Sequence, residues 1–540
     1  MLRSKVWPLV LKSRLGLGIT GAIIALRFLG SLQFLELLAL DRLQQLSLRE
    51  SLDSRIVLIG IDEKYPKTRD NEPLEYTDLA ALIETILTHD PAIVGVDIVE
   101  DKLIGDGSAR LLTLLENNKN LLIVEKVSEP SIPPLEGLSS TVLEEQVGFN
   151  DIAFDDDGHV RRMFLGWELE DGTFRKSFPL MLAEQYLTDK NGIALDNGEK
   201  DKWAMRFDKV EIPRLQTNYG GYRHESEIYG VQTLINFRGG MMRRSFNTGP
   251  FILLSASQVM EEDFNDEALA EKIVIIGSTD PNDVVEVDSA VPSQLDYNPN
   301  VLKGLELQAH ATSQITNAVL GSRPLIWVFP VGWEYVLLVV AGFLSSNIHR
   351  ITAPTLKRAF ILFSVNCFVG LTSYLTLVYV GLWLPIVPIL LIQTINGSTY
   401  IAITQSERRW QALVQERDHA LLALKKERQK TIEQAFDTIH NGPLQTLSNL
   451  LRLIRDREIS QQEIGHELEG LNSEIREIGE SLKQESISDE NLYIQVGQSK
   501  LDLNTPIHEL FYEIYIETLK RPFPGFQTLK IQARSLDPVD

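Results

Sequence analysis

The chain of 540 residues has room for about three to four folding units, and its single cysteine, Cys367, excludes an intrachain disulfide or a cysteine metal cluster. The net charge of −22 lies wholly between Asp41 and Arg323, where 49 acidic residues stand against 27 basic ones. So acidic a unit repels nucleic acid and anionic lipid, and no nucleic-acid partner is expected.

Arg3, Lys5, Lys12 and Arg14 open the chain, and an apolar run follows to about Leu40. GLGITG (Gly16 to Gly21) matches a dinucleotide-binding glycine pattern by letter, but no strand precedes it, and small residues in an apolar helix serve close helix packing. Arg27 interrupts the run, at about 2.5–3.5 kcal/mol for a charge at a bilayer centre. No Ala-x-Ala site follows, so an uncleaved first span is expected rather than a signal peptide.

RIVLIGID (Arg55 to Asp62), AIVGVDIV (Ala92 to Val99) and NLLIVEKV (Asn120 to Val127) are strand runs. With helical spacing over Thr77 to Thr88 and Ser108 to Leu115, they begin a βαβαβ parallel sheet. KIVIIG (Lys272 to Gly277) is another buried strand beyond a less regular middle portion. Asp62 and Asp97 end their strands, where open α/β sheets bind ligands; strand-end capping is the plainer explanation. In Asp155-Asp156-Asp157-Gly158, placing Gly158 sixth in a calcium loop puts Ala153 first and Phe164 twelfth, and neither ligates. A turn leading to Arg161 and Arg162 is expected, with no metal.

Together these pieces resemble a CHASE domain of the second type, an extracytoplasmic sensory module of bacterial membrane receptors. The matching stretches are LELLALD (Leu35 to Asp41), the IGID strand end, VGVDIV, GFNDIAFDDDGHVRR (Gly148 to Arg162), INFRG (Ile235 to Gly239), KIVIIGST and GLELQAHA (Gly304 to Ala311). The resemblance implies sensing of an unidentified ligand and assigns no binding residue. His310, on an expected helix, is read as structural.

From Pro324 to Thr404, spans near 324–346, 359–380 and 382–403 each reach the roughly 20 residues needed to cross a bilayer. Pro385 and Pro388 open the last, where the missing amide hydrogens matter least. Glu334 is the one acid inside, expected to snorkel or to pair, with Arg27 as a partner. The basic N-terminus, His349 to Arg358 (with Arg350, Lys357 and Arg358) and Glu407 to Arg409 belong in the cytoplasm, which four spans satisfy with 41–323 outside.

After Gln405 a charged helix runs into Ile432, Phe436, Ile439, Leu447, Leu450 and Ile454, whose spacing forms one helical stripe. Ser460 and Glu463 make a capping box, and Ile464, Leu468, Leu471, Ile475, Ile478 and Leu482 step as a coiled-coil seam. Such a hairpin buries its seams best as a four-helix bundle of two chains, so a homodimer is expected. His440, Asn441, Gln445 and Leu447 resemble the phosphoacceptor motif in the third-type dimerisation hairpin of sensor histidine kinases. That implies His440 as phosphorylated nucleophile, Gln445 as helper in dephosphorylation and a response regulator as partner. Asn441 departs from the family's acid and cannot act as a base.

SISDENLYIQVGQSK reads as linker, Thr505 to Lys520 as helix and Phe526 to Ala533 as strand, similar to the opening of an ATP-binding kinase domain. No asparagine box or glycine-rich ATP lid follows, so this chain is expected to hold no cofactor, ATP coming only with a complete kinase domain, and enzyme activity is left open. The fold expected is multidomain: 1–40 tail and first span; 41–323 extracytoplasmic α/β sensor domain; 324–404 α-helical transmembrane unit; 405–486 cytoplasmic antiparallel helical hairpin; 487–540 linker and incomplete kinase domain. The function expected is a two-component receptor in the bacterial inner membrane. The alternatives are a non-enzymatic receptor whose hairpin docks a partner, or a transport accessory if Arg27 and Glu334 face a water-filled path.

Overall fold

The structure, a computed structural model, describes residues 3–47, 50–62, 65–66, 74–105, 107–169, 171–223, 229–239, 249–279, 286–291, 293–295, 301–456, 460–489, 493–496 and 499–502. It comprises two compact units, Met1–Ser406 and Glu407–Asp540. The expected helix from Thr505 and strand from Phe526 lie outside the described residues.

In the first unit, helix α1 (Arg3–Phe28) and helix α2 (Gln33–Gln45) meet at 84°. The apolar run to about Leu40 is thus carried by two helices rather than one. Gly30 turns the corner at φ +77°, a conformation that glycine adopts without strain. Periodicity alone does not register such a corner, because the apolar residues continue through it.

A six-stranded, all-parallel sheet forms the core, in the order Phe251–Ser255, Asp53–Ile61, Ile273–Ser278, Ile93–Asp97, Leu121–Glu125, Val147–Phe149. Alternation along each strand divides its residues between two buried faces. On one, Val57, Ile59, Val94, Val96 and Ile276 meet α3 (Tyr76–Leu87), α4 (Ser108–Asn117), α5 (Ser140–Glu145) and α7 (Ala256–Met260). On the other, Ile56, Leu58, Ile93 and Ile275 meet α6 (Phe178–Asn191) and α8 (Gly304–Val319). Burial on both faces explains why these strands read as continuous apolar runs. The less regular middle portion supplies α6 and a second, antiparallel sheet built on the long strand Val160–Glu168, flanked by Ala153–Phe154, Val231–Leu234 and Phe174–Lys176.

Helices α9 (Val331–Ser346), α10 (Thr355–Val380) and α11 (Ile386–Asn441) follow. Among the described residues, α10 and the first part of α11 are long and apolar enough to cross a membrane. Helix α9, at 16 residues, falls short of the expected 324–346 span. Before it the chain is extended: Trp327 N–H donates to Gly381 O and Trp383 N–H to Trp327 O, both at 2.9 Å. Pro324 and Pro330 keep this stretch out of the helix.

In the second unit, α11 ends at Asn441 and α12 (Pro443–Arg455) begins after Gly442, so the expected continuous stripe is broken beside His440. Pro443 has no amide hydrogen to continue the ladder, and it disfavours helical geometry at Gly442, which adopts φ −100° and ψ −95°. Helix α12 packs against α13 (Gln461–Asp489). Ser460 and Glu463 form the expected capping box, the Ser460 N–H reaching Glu463 Oε2 at 3.0 Å. The expected linker is shorter than the sequence suggested: α13 runs on to Asp489, and Tyr493–Val496 pairs antiparallel with Ser499–Asp502.

Candidate functional site

Three clusters of buried charge lie where the α/β domain joins its flanking helices. The first is centred on Arg161. Gly158, at φ +80°, closes the Asp155–Gly158 turn, and the chain returns as the strand Val160–Glu168. Asp155 takes one arginine on each oxygen, Arg161 Nη1 and Arg162 Nε, both at 2.7 Å. Arg161 also donates to Asp157 at 2.7 Å and, through Nε and Nη2, to both oxygens of Asp41 on α2 at 2.8–3.1 Å. Tyr222 Oη donates to Asp155 at 2.9 Å, and Arg162 reaches Gln232 Oε1 at 3.0 Å. Burial works against the Arg161 charge, yet Asp157 and Asp41 hold its pKa raised. The carboxylates of this turn are thus arginine ligands, and among the described residues no group of three or more acidic, histidine or cysteine side chains could hold a metal.

The second cluster ties the α1–α2 corner to α9. Arg27 Nε donates to Glu36 at 2.7 Å, while its Nη2 pairs with Glu334 at 2.9 Å and donates to Gly220 O at 3.0 Å. Arg223 stands 3.7 Å from Glu334 and donates to the same Gly220 carbonyl at 2.9 Å. The pairing of Glu334 with Arg27 follows the sequence expectation. Both side chains are 1% exposed, so neither faces a water-filled path and the transport reading loses its premise.

In the third cluster Asp53 accepts from Arg55 at 2.8 Å, Ser313 at 2.8 Å and Asn317 at 2.7 Å. Burial opposes ionisation of Asp53, but these donors bring its pKa down to about 2. Arg323, just after α8, pairs with Glu50, just before the first strand, at 2.7 Å. His310 is buried between the Phe237 and Phe251 rings and accepts from Arg238 N–H at 3.2 Å. Its pKa is lowered to about 3, chiefly by burial and then by Arg323 and Arg238.

The CHASE2 domain model matches residues 19–346, more than half of the chain. The chain belongs to the CHASE2 family. CHASE2 is an extracellular sensory domain of signal-transduction receptors, which supports a sensing role, and the two candidate membrane-spanning helices are consistent with a membrane protein. The match reaches beyond 41–323 into α1 and α9, and thus takes in all three charge clusters. No curated protein and no solved structure matches the chain.

At the carboxyl end of the CHASE2 sheet, Asp97 accepts from Asn150 Nδ2 at 2.8 Å, and burial pushes its pKa up to about 6. Asp62 follows the end of Asp53–Ile61, one strand further along the sheet beyond Ile273–Ser278. A cavity of about 20 Å³ lined by Asp151, Arg162, Ser177 and Gln308 has room for roughly one water. Because Asp97 binds its proton more tightly folded than unfolded, folded Asp97 is favoured below pH 4 and penalised above 6. Asp97→Asn should therefore raise the denaturation midpoint at pH 7.5 and leave it unchanged at pH 3.5; an equal gain at both values would reject the assignment.

The structure places His440 in the last turn of α11, with Asn441 and Gln445 exposed on either side of the Gly442 break. The sequence reading missed Glu474. A methyl group on Gly442 would lie 2.6 Å from Glu474 Oε1, so α13 brings a carboxylate to this break. Only the folded hairpin brings residues so distant in sequence together.

Proposed function

We propose that the chain is a homodimeric, multi-pass receptor of a two-component system in a bacterial inner membrane. Four spans place residues 41–323 outside, and an extracytoplasmic stimulus is passed by phosphorelay through His440 to a response regulator. His440 is the phosphoacceptor and Gln445 the helper in dephosphorylation. Asn441 can fix the imidazole tautomer but cannot take its proton, a task we give to Glu474. The observation that carries this reading is the α12–α13 hairpin, whose Leu444, Leu447, Leu451, Ile454, Leu468 and Ile475 remain exposed in the single chain. Such stripes call for a second copy, the arrangement of a phosphoacceptor bundle. The phosphoryl group comes from ATP on a kinase ATP-binding domain.

The test supplies the purified chain with such a domain in trans and labelled ATP. Label is expected on His440, faster with Asn441→Asp, slower with Glu474→Gln and absent with His440→Ala. No label, even with Asn441→Asp, would leave a receptor whose hairpin only docks its partner.

A further inference from the structure

Helix α2 has its polarity reversed for a helix on a water-facing surface. At 100° per residue, Glu36, Leu37, Leu40, Asp41, Leu43 and Gln44 occupy one continuous arc, and all six are buried against the protein. Glu36 is held by Arg27 and Asp41 by Arg161. The opposite arc carries Phe34, Leu35, Leu38 and Leu46, exposed by 59%, 41%, 36% and 53%. A helix in contact with water would turn its acids outward; α2 buries both of its acids and leaves four large apolar side chains outside. Among its described residues no acid lies on the outer face.

Two further observations say what covers that face. The 84° corner turns α2 almost perpendicular to α1, so if α1 crosses a bilayer, α2 lies along its surface. The apolar exposure also continues around it, through Phe28 and Leu29 at the corner and Tyr379 and Val380 at the end of α10, whose Tyr374 Oη donates to Leu46 O at 2.9 Å. Arg42, also outward and hydrogen-bonded to Gln45 at 2.8 Å, puts a cation at headgroup level.

We propose that α2 lies in the outer leaflet, with Phe34, Leu35, Leu38 and Leu46 resting on lipid acyl chains while its acidic side grips the sensory domain. The sensor thus has a direct lipid contact, separate from its spanning helices, about 5–10 Å below the headgroup boundary as for other interfacial helices. This rests on the reading that α1 and α10 cross the membrane.

The test uses the full chain in phosphatidylcholine nanodiscs, in a Cys367→Ser background, with a nitroxide on Leu38→Cys. Companion labels sit on Phe363→Cys, exposed on α10, and on Asp156→Cys, exposed on the domain. The Leu38 label should collide readily with oxygen and poorly with a water-soluble nickel chelate, as at Phe363 and opposite to Asp156. A label on Leu35→Cys should repeat the pattern, guarding against a local fold defect. Nickel access at Leu38 and Leu35 with oxygen preference kept at Phe363 would overturn the proposal alone. Nickel access at Phe363 as well would remove the membrane topology beneath it. Spin–spin broadening at Leu38 that vanishes on dilution with unlabelled chain would assign the face to a second copy instead.

Discussion

Arg161→Ala should destabilise the CHASE2 domain by about 3–5 kcal/mol, the range for breaking a buried ion pair from one side. Arg161 is the common partner of Asp41, Asp155 and Asp157, and its side chain is almost wholly buried. Its loss leaves Asp41 with no other arginine partner among the described residues, whereas Asp155 keeps Arg162 and Tyr222. Arg161→Lys should recover only part of the loss, because one ammonium cannot reproduce a planar fork that engages three carboxylates. The exposed Arg110–Glu84 pair supplies the control: Arg110→Ala should produce no measurable change. Denaturant unfolding followed by tryptophan fluorescence would report both. Equal behaviour of Arg161→Ala and Arg110→Ala would show that the cluster is not a structural centre.

Acid should weaken the same domain through His310. Its folded pKa of about 3 lies below the ordinary 6.5, so the unfolded chain binds the extra proton in the interval between them. The stabilisation is therefore complete above pH 6.5 and is lost as the pH falls towards 3, by roughly 5 kcal/mol at one pKa unit per 1.36 kcal/mol. Asp53 adds a second loss in the same direction. Its folded pKa of about 2 gives stability present above the unfolded carboxylate value and lost as the pH falls from about 4 towards 2. Asp97 opposes both between pH 6 and 4, since its folded carboxyl is the more easily protonated. Urea midpoints should fall for the native chain between pH 6.5 and 4, and His310→Gln, which still offers an acceptor to Arg238 N–H, should flatten that slope. An unchanged slope would place the acid-sensitive group elsewhere.

The parallel sheet was largely legible because its strands are buried on both faces: the runs at Arg55, Ala92, Asn120 and Lys272 fall on strands of the observed core. The edge strand Phe251–Ser255 was not, since FILLS is too short to be told from a helix start by pattern. The α1–α2 corner escaped because both arms are apolar, and the break at Gly442 because a stripe counted across it keeps its spacing. Gly442-Pro443 was the signal that could have placed that break. The Asp155–Asp157 turn and its arginines were visible, but Asp41 lies 120 residues from Arg161 and only the fold joins them.

The Glu50–Arg323 pair and the Asp53–Asn317 hydrogen bond also constrain the domain mechanically. They fasten the segment by which the chain enters the α/β core to the one by which it leaves. Two ends clasped in this way cannot slide past each other like opposed pistons without tearing the clasp. A stimulus on the domain must then move both ends together, as a tilt or rotation of the whole body about its base. The clasp makes the domain a lever rather than a pair of plungers.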